Sequence, residues 1–244
     1  MTQIHIVMPF SRPENLDKLI EAYRPMNVIL HPIMFIDEEI KFPVEPWIFP
    51  FIIPEISTDC KVLMPGTYKR NQFIKANLVI DSDYYLTADD DDMYEPNVMS
   101  AIRELTSDIV IISMKRGHRI PTGVSEERAY LTSTLFASPD NMKVGFVSAQ
   151  QLFVRGHLFK SHLHNESSHT WDGELAEHYA QSHYRDSITY RPDLYALFNF
   201  YEPTRWDAGP KMTFACMIND PMRFDMVLKQ SQIPGRLMFV QNPE

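Results

Sequence analysis

Asp89-Asp90-Asp91-Asp92 places four carboxylates side by side, and adjacent like charges repel unless a cation offsets them. A divalent ion is the natural partner. No Cys or His lies nearby, so an oxygen-only ligand set points to Mg²⁺ or Mn²⁺ rather than Zn²⁺. The plain alternative is a solvated acidic turn ahead of the helix that starts near Pro96. A calcium loop is excluded, because an EF-hand needs Gly at its sixth position and Glu at its twelfth. Counted from Asp89, those positions hold Tyr94 and Ser100.

The elements around the acids explain how they would be presented. Residues 84–88 are a short, aromatic, apolar run, as in a buried strand, so the aspartates fall in the turn at its carboxyl end. Val98, Ala101, Ile102 and Leu105 then repeat at helical spacing. Near the amino terminus, residues 4–10 read as a continuous apolar strand, followed by Ser11-Arg-Pro-Glu14 with capping-box spacing. Leu16, Leu19, Ile20 and Tyr23 form a helical face closed by Arg24-Pro25, and residues 27–37 form a second strand. This strand, helix and strand make a βαβ unit, whose ligands bind beyond the carboxyl ends of its strands. Ser11, Arg12 and Asp37 belong to that edge.

Residues 43–54 carry four prolines, which leaves at best an edge strand, and are expected as a loop packed on the core. Pro65-Gly66 forms a turn before a helix marked by Phe73, Ile74 and Ala76. Lys69 and Arg70 are thereby expected on its first turn, a position that favours phosphate. Residues 108–114 form a buried strand, and 115–119 form a compact basic cluster, open to contact with an anionic acceptor but expected as a solvated loop. Residues 121–144 are expected as a mobile segment on the acceptor side.

Leu86-Thr-Ala-Asp-Asp-Asp-Asp-Met-Tyr-Glu-Pro-Asn97 resembles the aspartate signature of family 2 glycosyltransferases, which have the GT-A fold. Aligned on Pro96, the signature acids fall on Asp89 and Asp91. The resemblance implies a nucleotide-sugar site in which Asp89 and Asp90 lie by the nucleotide, and Asp91, with Asp89, holds Mn²⁺ or Mg²⁺. Pro9, Ser11, Arg12 and Asp37 become expected nucleoside contacts, and Lys69 and Arg70 expected partners of the nucleotide. Residues 143–155 resemble the turn and strand that line the family's acceptor pocket, with Ser148, Ala149 and Gln150 near the reacting sugar. Trp171-Asp-Gly-Glu174 resembles the Glu-Asp motif of inverting members, with Asp172 or Glu174 as the base. Read without the resemblance, Asp172 is an N-cap and Glu174 a first-turn acid.

The expected class is therefore α/β and GT-A-like (Rossmann-like), with a central, mostly parallel sheet flanked by helices. Residues 1–205 form the domain, with a nucleotide-sugar half at about 1–115 and an acceptor half at about 116–205. Residues 206–244 form a βαβ-like extension without a clear catalytic carboxylate. The 244 residues carry 23 Lys and Arg against 32 Asp and Glu, a net charge of −9 that disfavours a broad nucleic-acid or anionic-membrane surface. Two cysteines, Cys60 and Cys216, are too few for a disulfide framework. With no apolar stretch of membrane-spanning length, the expectation is a soluble, cytoplasmic protein. Six of the nine histidines lie between His157 and His183. No Cys accompanies them, so a polar surface or substrate-facing loop is favoured over zinc.

The expected reaction moves a sugar from a nucleotide-diphosphate donor, with a uridine diphosphate sugar favoured, to an acceptor hydroxyl, with inversion favoured and a retaining mechanism also open. A glycan is the favoured acceptor, with a hydroxylated nucleic-acid base also open. Two other readings compete: a nucleotidyltransferase acting on sugar phosphates, and a non-catalytic nucleotide-sugar or metal-binding module. The first usually carries a Gly-rich basic loop after its first strand, and Ser11-Arg-Pro-Glu14 has no glycine. The second would need no base.

Overall fold

The structure, a computed structural model, describes residues 2–36, 40–54, 65–119, 130–164, 166, 168 and 170–198. In β1 (Ile4–Pro9), Ile4, Ile6 and Met8 face one apolar layer and Val7 faces another. The same division holds in β4 (Tyr84–Thr87) and β6 (Ile109–Arg119): Tyr84, Leu86, Val110 and Ile112 lie on the first side, Tyr85, Ile109 and Ile111 on the second. Both faces of their central residues are covered, so those residues read in the sequence as mostly apolar runs.

The sheet runs in the order β3 (Phe51–Ile53), β2 (Ile29–Phe35), β1, β4, β8 (Leu152–Arg155), β6, β9 (Ile188–Phe198), β5 (Met93–Tyr94). A further strand, β7 (Tyr130–Leu135), pairs with β6. From β3 to β4 every neighbour is parallel. β8 is antiparallel to both β4 and β6, and β6 and β9 are again parallel. α1 (Leu16–Tyr23) makes the crossover from β1 to β2, and α2 (Pro65–Lys75) packs on β1 and β2. α3 (Val98–Arg103), α4 (Gly156–Phe159) and α5 (Trp171–Gln181) complete the α-helices among the described residues. This is the expected α/β architecture with a large sheet flanked by helices. Among the described residues no helix is long and apolar enough to cross a membrane.

Several local expectations are corrected. Ser11 does not cap α1: a 3-10 turn at Pro13–Asn15 precedes the helix, and its N-cap is Arg12, with no side-chain cap bond. The end of the proline-rich stretch is an edge strand, since Phe51–Ile53 lies beyond its last internal proline and pairs with Ile33 to Phe35 of β2. β6 continues through residues 115–119, where a solvated loop was expected, because β7 pairs with its distal half. The segment expected as mobile thus includes strand β7 and a 3-10 turn at Pro139–Asn141. Asp37, both cysteines and the expected extension at 206–244 lie outside the described residues.

Candidate active site

Register brings the candidate residues to one edge of the sheet. β1 and β4 run parallel with Val7 opposite Thr87, so two residues further on Pro9 and Asp89 emerge side by side. β8 is antiparallel to β4, so the 3-10 turn that feeds it, Ala149–Gln151, returns to the same edge. That turn is held by a capping box in which the Ser148 and Gln151 side chains each bond the other's backbone. The start of α5 closes the remaining side. Together these elements enclose a recess of ≈ 160 Å³ whose wall includes Pro9, Asp89, Ser148, Ala149, Gln150 and Asp172. Gly66, Thr67, Thr87 and Trp171 also line it, none of them a candidate site residue from the sequence.

The four aspartates diverge in surroundings. Asp90 is buried and its Oδ2 accepts the Ser11 and Arg12 backbone N–H groups at 2.6 and 2.7 Å. Its Oδ1 accepts from Arg12 Nη1 at 2.6 Å. Asp91 Oδ1 lies 2.7 Å from the same Nη1. Asp92, fully buried, accepts the Asp89 N–H at Oδ2, and its carbonyl accepts the Tyr23 hydroxyl. Asp89 itself opens onto the recess. Asp89, Asp91 and Asp92 each bring one carboxylate oxygen within 4.8 Å of the others, the one such group of potential ligands among the described residues. An all-oxygen set of this kind fits Mg²⁺ or Mn²⁺. Asp92 enlarges the pair expected from the sequence; its membership in the acid run was the available signal.

The close packing of the turn shifts its charges. The Asp89 carboxyl is raised above the ordinary carboxylate range, first by its low-dielectric surroundings and then by Asp91 and Asp90. Burial alone would lower the Arg12 guanidinium, but Asp91, Asp90 and Asp89 reverse that effect and raise it. Arg12 therefore acts as the resident counter-ion of the turn. In the loop after β1 the Ser11 and Arg12 amides are committed to Asp90, so those N–H groups already hold an anion of the chain itself.

Lys69 and Arg70 differ most from expectation. α2 begins at Pro65, so both sit in its second turn, and both are buried. Lys69 Nζ donates to the Phe10 carbonyl at 2.6 Å and lies 4.5 Å above the Phe35 ring. Arg70, 2 % exposed, lies beneath the recess wall, with Nε donating to Thr87 Oγ1 at 3.0 Å. Its guanidinium is 4.4 Å from the Phe159 ring centre and 5.2 Å from that of Trp171. Burial pushes it down to about 9, with Tyr179 opposing the shift. An exposed cationic pair at a helix start is not what the chain forms.

The two acids of Trp171-Asp-Gly-Glu174 also separate. Asp172 faces the recess, and its Oδ1 accepts the Gly173 N–H at 2.8 Å. Glu174 is exposed, and its Oε1 accepts from Ser168 Oγ and Thr170 Oγ1, each at 2.7 Å. Thr170, not Asp172, is the N-cap. Gly173 explains how the helix comes so close: a Cβ there would stand 2.4 Å from Val144 Cα. Glu177 Oε1 fixes the same contact by accepting the Val144 N–H at 3.0 Å. Within the histidine-rich stretch, His162 packs on His178 and His164 on Trp171.

No protein-family model matches the chain, and no curated protein does either. Among solved structures, S. aureus TarS 1-349 superposes with a TM-score of 0.51 at 16 % identity, over 80 % of this chain. The chain spans 60 % of that structure's length. A 4-diphosphocytidyl-2C-methyl-D-erythritol synthase reaches 0.44 at 10 % identity, over 94 % of this chain and 98 % of the other. An inositol-1-phosphate CTP transferase from T. maritima reaches 0.40 at 9 % identity, over 95 % and 97 %. The latter two are too dissimilar to bear on the argument. The likeness to TarS, together with the strand order and the edge site, shows a GT-A-like fold.

Proposed function

We propose that the chain is a metal-dependent glycosyltransferase that moves a sugar from a nucleotide-diphosphate donor to an acceptor hydroxyl with inversion. The observation that carries this reading is the division of acids at one sheet edge. Asp89, Asp91 and Asp92 bring carboxylate oxygens within 4.8 Å of one another, a set that could hold a cation, on one side of a recess, and Asp172 stands on another side. A bound Mn²⁺ or Mg²⁺ would offset the charge that develops on the departing diphosphate. Asp172 accepts the proton of the acceptor hydroxyl as its oxygen bonds to the anomeric carbon, and the bond from that carbon to the diphosphate breaks on the opposite face. Trp171 supplies an apolar wall for one face of the sugar ring, and Ser148 with the 149–151 turn borders the acceptor side. Arg12 holds the acidic turn together.

The enclosed recess is smaller than the ~300–1,000 Å³ typical of sites for whole small-molecule ligands, so it suits a sugar ring rather than a complete donor. A uridine diphosphate sugar with a glycan acceptor remains the favoured pair. The nucleotidyltransferase reading is disfavoured by the loop after β1, whose Ser11 and Arg12 amides already bond Asp90 and so do not stand free to cradle a phosphate. The test is to incubate the protein and Mn²⁺ with a panel of uridine diphosphate sugars and neutral oligosaccharides. In parallel, UTP is supplied with hexose 1-phosphates. Metal-dependent release of UDP with a glycosylated product is expected; pyrophosphate release from UTP would instead establish nucleotidyl transfer.

A further inference from the structure

A guanidinium buried without a carboxylate is an unfavourable thing for a fold to keep. Among the described residues none of the ion pairs includes Arg70, although the side chain is 2 % exposed. Removing such a charge from water costs several kcal/mol in order of magnitude unless hydrogen bonds and ring contacts offset it. Its contacts are therefore informative. Nε donates to Thr87 Oγ1, two residues before Asp89, and the guanidinium faces the indole of Trp171, immediately before Asp172. Thr87 and Trp171 both line the recess. Nη1 reaches the His162 carbonyl at 3.5 Å, in the segment leading to α5.

The next residue extends this link. Asn71, also 2 % exposed, donates from Nδ2 to the His164 carbonyl at 2.8 Å and to Glu166 Oε1 at 3.0 Å. Its Oδ1 accepts the His164 N–H at 3.0 Å, so one amide pairs with both backbone groups of one residue. His164 in turn packs on Trp171, with ring centres 4.2 Å apart. Two consecutive residues of α2 thus grip the strand that ends in the aspartates and the segment that delivers Asp172.

We propose that Arg70 and Asn71 are positioning residues, a clamp on α2 that sets Trp171, and with it Asp172, against the Thr87 end of β4. The assignment rests on the proposed reading of the recess as the sugar site, but the clamp itself is measurable without turnover. Neither residue is among those that line the recess, so their effect on it runs through Thr87 and Trp171. The clamp works by fixing the two halves of the site at one spacing, and small displacements there carry large kinetic penalties.

The test reads the environment of Trp171 by fluorescence and acrylamide quenching in full-length protein. Its signal is isolated by repeating each measurement in a Trp171→Phe background. Arg70→Met retains the length and packing of the side chain but not the fork, and should leave the thermal midpoint unchanged or higher. Trp171 emission should move to longer wavelength, with quenching raised about twofold or more, and Arg70→Lys should restore it only in part. Asn71→Ala should produce the same shift, and it keeps the test open if Arg70→Met does not fold. Folded variants with wild-type Trp171 emission and quenching would overturn the clamp. UDP binding with Mn²⁺, followed by calorimetry, should stay within twofold of wild type in both variants. A wild-type protein that binds no UDP would remove the glycosyltransferase reading while leaving the Trp171 result to decide the clamp.

Discussion

The acidic turn after β4 and the start of α5 face each other across the recess, and each begins from the same sequence ambiguity: neighbouring carboxylates, only some of them available for chemistry. In the turn, Asp90 is tied to two backbone N–H groups and a guanidinium, while Asp89 opens onto the recess. At α5, Glu174 is tied to two hydroxyls beside the helix start, while Asp172 lines the recess. The difference between the regions is the source of the tie. Asp90 is held by residues 78 and 79 positions away, whereas Glu174 is held by residues four and six away. A structural acid at the turn therefore joins distant elements, and one at the helix only tidies its own terminus. The fold should tolerate loss of Glu174 far better than loss of Asp90.

The largest effect expected separates the two acids of α5. Asp172→Asn keeps the size of the side chain but removes its basicity, so turnover should fall by about 10²- to 10⁴-fold while donor affinity holds. Glu174→Gln, measured in the same assay, should leave turnover within a few-fold. If the two results exchange, Glu174 is the base; if both variants stay active, the base lies elsewhere. At the turn, Asp90→Asn should destabilise the protein by about 3 kcal/mol in urea unfolding, since it leaves Arg12 short of a buried partner. A loss well below 1 kcal/mol would remove Asp90 from its structural role. Gly173→Ala should then lower turnover about tenfold, because the added methyl pushes the Asp172 end of α5 away from Val144. Unchanged kinetics would show that the loop yields instead.

The smallest effect comes from outside both regions. His5 Nδ1 lies 2.9 Å from His31 Nε2, and His5 Nε2 is 3.3 Å from Asp83 Oδ2. Burial lowers His5, and burial followed by the charge of His5 lowers His31 to about 3. The unfolded chain then binds protons near pH 6.5 that the folded chain refuses. Stability from this pair is complete above about pH 6.5 and declines as pH falls toward 3. His31→Phe should flatten that slope in pH-dependent unfolding without altering the site; an unchanged slope would place the acid sensitivity elsewhere.

Much of the fold was legible because buried strands and amphipathic helices carry periodic patterns: residues 4–10, 84–88 and 108–114 could hardly be anything else. The candidate site was legible where one short segment carries both the strand and its acids. What escaped depends on partners far away in the chain. Asp90 and Asp91 look equivalent until the amides of Ser11 and Arg12 single out one of them. Arg70 reads as a surface cation by composition, and only the packing of Phe159 and Trp171 makes it interior. The edge strand Phe51–Ile53 was masked by the prolines before it, and the role of Gly173 depends on Val144, which local sequence does not bring near.

The central claim is that the turn after β4 binds a cation through Asp91 and its neighbours, and that this cation carries the donor diphosphate. Calorimetric titration of UDP into wild type, Asp91→Asn and Glu174→Gln, each with Mn²⁺ and again with EDTA, tests it most directly. Wild type and Glu174→Gln should bind UDP far more tightly with Mn²⁺, and Asp91→Asn should show no difference between the two conditions. Metal-dependent binding that survives in folded Asp91→Asn, or UDP affinity in wild type that is indifferent to Mn²⁺, would contradict the account.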